Sequence, residues 1–193
     1  MKKLLISASL AASLVLPSAA AQAQAIPGAV IAVVDLEKVT SDCNACKTAS
    51  AALRSQATAL QSRQQALATP LQTEQKSIQT AIDALNGKEP DAALQARIKA
   101  FQTKQQQGAT EIQNQEAQIQ RNNQYVQKQI GDKLAPIYQS VMQRRGANIL
   151  LETGSTLATT TSVDVSNDVL AALNTALPTI SAVAPAQTQP QGR

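Results

Sequence analysis

The 193-residue sequence has no histidine, no tryptophan and only 2% aromatic residues. Without histidine, the C-x-x-C-H signature of haem attachment cannot form. Nor is there a glycine-rich phosphate loop, and the carboxylates are scattered along surface-like helix positions. No acid/base or nucleophile constellation can be assembled from such a chain. The threonines of "TGSTLATTT", Thr153 to Thr161, read as an exposed strand face rather than as nucleophiles. We therefore expect neither an enzyme nor a cofactor. Scarcity of aromatic groups, which dominate cores elsewhere, also means that the compact part of the protein is small.

Long hydrophobic runs are scarce too. The run "LLISASLAASLVL", Leu4 to Leu16, follows Lys2 and Lys3 and precedes Pro17 and an alanine-rich stretch with A-x-A sites ending at Ala23 or Ala25. It is too short and wrongly flanked for a membrane span and reads as a secretory signal over residues 1–25. Its removal would lower the net charge from +4 to +2, since it holds two of the 17 Lys/Arg and none of the 13 Asp/Glu. The remaining charge is uneven: Thr48 to Arg145 holds 12 Lys/Arg against 7 Asp/Glu, a net +5. Such a field would attract anionic lipid surfaces or acidic clients weakly. The plainer reading is a solvated helix face, and no nucleic-acid partner is expected.

What is abundant is glutamine and alanine at helical spacing. From Leu53, positions spaced by four and three read Leu53, Ala57, Leu60, Gln64, Leu67, Leu71, Glu74, Ile78, Ala81 and Leu85, a heptad seam. "NGKEPD", Asn86 to Asp91, supplies turn chemistry. The return arm continues as Leu94, Ile98, Phe101, Gln105, Gly108, Ile112, Gln115, Ile119, Asn122 and Val126, then shifts phase to Ile130, Leu134, Ile137 and Val141. A turn between Lys88 and Glu89 would set residue i opposite residue 177 − i, so that Pro70 faces Gln107 beside Gly108. Proline removes a helix hydrogen bond and glycine loosens the helix. Two such points at one height predict an arm hinge at Pro70 and Gly108, against the alternative of an accidental coincidence and a gentle kink.

The ends differ in character. "IAVVDLEKV", Ile31 to Val39, opens as a buried strand, with Thr40, Ser41 and Asp42 offering helix caps. "ANILLETGSTLATTT", Ala147 to Thr161, reads as two short strands around Gly154 and Ser155. A helix capped by Ser166 follows, through Val169, Leu170, Leu173 and Leu177, and residues 179–193 read as a disordered tail. The fold class predicted is α+β: a long antiparallel helical hairpin, residues 47–145, projecting from a small discontinuous β-rich body, residues 26–46 and 146–178. So small a body rarely supplies its own stability. Ile31, Val33, Ile149 and Leu151 are accordingly expected to be buried between the subunits of an oligomer. Cys43 and Cys46 in "DCNACK" are expected to form a local disulfide or stay inert thiols, with redox exchange, intersubunit chemistry and a shared metal as the other readings.

The order of these elements, and the end blocks "IAVVDLEKV" and "ANILLETGSTLATTTSVDVSNDVLAALN", resemble the Skp (OmpH-like) family of periplasmic chaperones. The resemblance implies a homotrimer whose β-rich body draws on all three chains. Its helical arms would enclose unfolded outer-membrane proteins in the periplasm without ATP. A seam diluted with glutamine suits that use, because a holdase shields many segments weakly and needs adaptable arms. The alternative is a structural or adaptor coiled coil of the cell envelope, with the glutamines simply facing solvent.

Overall fold

The computed structural model describes residues 26–186, so the expected secretory signal and the last seven residues of the chain lie outside the described residues. Strand β1 spans Ile31–Val34 and is followed by helix α1, Leu36–Asp42, and helix α2, Asn44–Asp83. Helix α3, Ala92–Arg145, leads to strand β2, Ile149–Glu152, and helix α4, Ser166–Ala176, closes the series. At about 1.5 Å per residue, the 40 residues of α2 and 54 of α3 span roughly 60 and 80 Å.

The sheet consists of β1 and β2 in parallel, with Ile31 opposite Ile149 and Val33 opposite Leu151. It is shorter than the sequence predicts. The strand stops at Val34 because the Asp35 carboxylate accepts from Lys38 N–H at 2.8 Å and caps α1. Thr40, Ser41 and Asp42, expected as caps, lie inside that helix, and Cys43 caps α2 instead. The second expected strand after Gly154 does not form. Thr153–Ser155 is a 3₁₀ turn, and Thr161–Val163 is another.

Helix ends follow local chemistry. α2 stops before Asn86 and Gly87, both at positive φ (46° and 85°), and Asp91 caps α3 by accepting from Leu94 N–H at 2.8 Å. Gly146 ends α3 in the left-handed region at φ 67°, with Ala147 N–H donating to the Met142 carbonyl at 2.9 Å. Arg145 at that terminus pairs with Asp168 in the first turn of α4 at 2.6 Å, each charge complementing its own helix dipole.

One apolar core lies where these ends meet. It joins Ala32 and Val34 of β1, Val39 of α1, and Cys43, Ala45 and Cys46 at the α1–α2 joint. Leu134, Ile137 and Val141 of α3 complete it with Val165, Val169, Leu173 and Leu177 in and around α4. The body thus reaches into α3 well before residue 146, the boundary expected from composition. Ser166, 1% exposed, welds the pieces: it accepts from Asp35 N–H at 2.8 Å and donates to Asp164 Oδ1 at 2.5 Å. The Ser166 hydroxyl and then the Ser166 N–H, both donating to that oxygen, hold the Asp164 carboxyl below its ordinary range. Ser166→Ala would leave the part-buried Asp35 N–H without its partner, and we expect it to cost about 1 kcal/mol or more in denaturant unfolding with helix content intact at zero denaturant.

Candidate functional site

The candidate site is the surface of the long helices. α2 and α3 pack with opposite chain direction, as the pairs Gln56–Asn122, Arg63–Glu111, Leu67–Gly108 and Glu74–Arg97 require. Most expected seam positions are buried or half-buried, but Ala57, Gln64 and Gln105 are exposed. Gln56 turns inward in place of Ala57 and accepts from Asn122 Nδ2–H at 2.8 Å. Asn122 is itself only 3% exposed, so part of this seam is closed by side-chain amides rather than by hydrocarbon.

Two ion pairs staple the helices. Arg63 grips Glu111 with both carboxylate oxygens, at 2.6 and 2.9 Å, and Arg97 reaches Glu74 at 2.6 Å and Ser77 at 2.7 Å. The hydrogen bond and the opposite charge push both carboxyls below their ordinary range. All four groups are substantially solvated, so the pairs set register more than they add stability. Sequence reasoning missed them. The signal was present, since the position sums are 174 and 171, near the expected 177.

Between the staples lies a groove of about 380 Å³, lined by Leu67, Pro70, Leu71, Lys104, Gln107 and Gly108 among others. Pro70 and Gly108 therefore meet in one place, although Gly108 stands against Leu67, one turn from Pro70, rather than beside Gln107's partner as the simple register had it. Both helices run through this height without interruption. A second interior proline, Pro136, sits among the core residues Leu134 and Ile137 and was not singled out in the sequence.

Cys43 and Cys46 are disulfide-bonded and almost inaccessible, at 0% and 3% exposure. Such sulfurs offer no approach for an external thiol. Val33, expected between subunits, is buried at 2% within the single chain, because Val165 N–H bonds its carbonyl at 2.9 Å and the Asp164 segment covers that side. Ile31, Ile149 and Leu151 are 44%, 38% and 39% exposed. Successive strand residues face opposite ways, so these three share the face turned from the core. Among the described residues no cluster of three or more metal-ligating side chains occurs, and no helix is long and apolar enough to cross a membrane.

A pair of long helices anchored on a small mixed core defines the architectural class, and the comparisons supply the family. Residues 30–173 match the family described as outer membrane protein (OmpH-like), and the chain belongs to that family. The crystal structure of a protein from Caulobacter crescentus CB15, proposed there to be an outer membrane chaperone (OmpH-like), has the same fold. Its TM-score is 0.65 at 19% identity, covering 81% of this chain and 89% of that one. No curated protein sequence matches the chain.

Gly108 has a non-positive φ, and a Cβ there would meet Leu67 Cδ1 at 3.7 Å, an ordinary contact. Gly108→Ala should therefore raise stability by about 0.5–1 kcal/mol in urea titration by restricting the unfolded chain; a loss would mean that the groove cannot take a methyl group.

Proposed function

We propose that the protein is an ATP-independent holdase of the periplasm that keeps unfolded outer-membrane proteins from aggregating between its helical arms. The observation that carries this reading is the contrast between one apolar core at the base and long helices held together by amides, sparse leucines and two solvated staples. A rod meant only as a spacer gains from a dry seam. A wall that must cover many client segments gains from weak, adaptable contacts, and the OmpH-like membership and chaperone description of the Caulobacter protein agree with that use. In this reading Pro70 and Gly108 form the hinge that lets the arm tips adjust. Lys76, Lys88 and Lys99 toward the tips have no carboxylate partner among the described residues, which suits weak, salt-screened contact with anionic lipid or acidic clients. The deciding experiment is light scattering of a urea-diluted outer-membrane β-barrel protein without nucleotide. Near-stoichiometric protein should suppress aggregation, whereas no suppression with the helices intact would favour an adaptor role.

The holdase would act as a homotrimer, and the support is the outward face of the sheet. Ile31, Ile149 and Leu151 form an exposed apolar patch, and β2 has no strand partner on its second edge among the described residues. Apolar patches and open strand edges are surfaces that a second chain covers. Ile149→Asp with Leu151→Asp should shift sedimentation from trimer to monomer while helix content stays near wild type, since neither residue is in the single-chain core. Val33→Asp should instead unfold the body, because it buries an unpaired charge. An Ile149/Leu151 double variant that remains trimeric would contradict this interface.

A further inference from the structure

Residues 179–193 read as a disordered tail in sequence, yet Ser181–Ala184 is held against the long helices at four main-chain groups. Gln129 makes a reciprocal pair with Ser181, its Nε2–H donating to the carbonyl at 2.9 Å and its Oε1 accepting from the N–H at 3.1 Å. Gln56 Nε2–H donates to the Ala182 carbonyl at 3.1 Å, and Asn122 Oδ1 accepts from Ala184 N–H at 2.9 Å. Asn122 is positioned by Gln56 and by Gln118, which donates to it at 2.8 Å. Gln129 lies one heptad beyond Asn122, on the same face of α3. Ile180, Ala182 and Ala184 are half-buried while Ser181, Val183 and Pro185 are exposed, so alternate residues face the helices.

Every one of these four bonds goes to the main chain of the strap and none to its side chains. A primary amide presents N–H donors and a carbonyl acceptor side by side, the complement of a peptide unit. Within Ser181–Ala184 the site therefore has no means of reading sequence beyond requiring small residues at the inward positions, Ala182 and Ala184. The strap also lies beyond residue 173, where the family match ends, so it is a feature of this chain rather than of the matched region.

We propose that Gln56, Asn122 and Gln129 form a site for the backbone of non-helical polypeptide, occupied in the free protein by the chain's own Ser181–Ala184. Tethered to the end of α4 by a few residues, the strap acts at the millimolar effective concentration typical of short linkers. A single client segment at micromolar concentration cannot displace it. A client already held elsewhere on the arms can, because it too is then tethered. The strap thereby admits multivalent, extended clients and refuses short peptides. Strap occupancy stands on the contacts themselves, and only its consequence for clients rests on the holdase reading.

The test uses a fluorescein-labelled peptide of residues 180–186, Ile-Ser-Ala-Val-Ala-Pro-Ala, and a scrambled peptide of the same composition, read by anisotropy. A variant ending at Ile180 should bind both peptides within about threefold of one another, and the full chain should bind at least about tenfold more weakly because its own strap competes. Gln129→Ala in the shortened variant should weaken binding by about fivefold or more, through loss of two hydrogen bonds. Equal binding by full and shortened chains, no binding by either, or indifference to Gln129→Ala would overturn the proposal. Should the shortened chain lose its circular-dichroism helix signal, the full-length Gln129→Ala variant decides by hydrogen exchange: faster exchange at Ser181 and Ala184 supports the strap, and unchanged exchange overturns it. Peptide binding without aggregation suppression would sink the holdase reading and leave the site standing.

Discussion

Everything in this fold hangs from one apolar knot at the base of the long helices. Val39, Val141, Val169 and Leu173 are fully buried there, contributed by three helices, α1, α3 and α4, that are separated in sequence. Burial of such side chains contributes about 1.5–3 kcal/mol each relative to exposure, and nothing along the arms matches that density. The parallel sheet is only four residues deep per strand, so its strands depend on the helices beneath rather than on each other. Ser166 matters for the same reason: its buried hydroxyl bridges the end of β1 and the start of α4.

Away from the knot, α2 and α3 are kept in register by discrete polar contacts. The Arg63–Glu111 and Arg97–Glu74 pairs fix which residues face one another, and the groove around Pro70 and Gly108 lies between them. Gln56 and Asn122 form a third fastening nearer the base. These contacts are individually weak, the ion pairs because their groups stay partly solvated. A structure that is stiff at one end and loosely fastened along its length follows from how the apolar residues are distributed along the chain.

Much of this was legible in the sequence. The heptad spacing of Leu60, Leu67, Leu71 and Ile78 and the turn at Asn86–Asp91 identified the long helices, because amphipathic period and turn chemistry are local signals. The first helix start was misjudged because a side chain intervened early: Asp35 caps α1, so that Thr40, Ser41 and Asp42, expected as caps, lie inside it. Val33 was misplaced because its cover comes from Asp164 and Val165, some 130 residues on, and no local pattern announces that. The amides were the hardest to read. Gln56 and Gln129 look like solvated helix surface in composition and Asn122 like a polar gap in the seam, and only the path of the strap turns them into a site.

The central claim is that stability is concentrated at the base while the arms are held by weak polar fastenings, and native-state amide hydrogen exchange tests it most directly. The account predicts opening free energies near the global value for Ala45–Ala49 and Leu134–Val141, falling steadily along both helices toward Pro70 and Gly108. Uniform protection from the base through residues 60–80 and 100–115 would contradict it, since the seam would then be a continuous core in its own right.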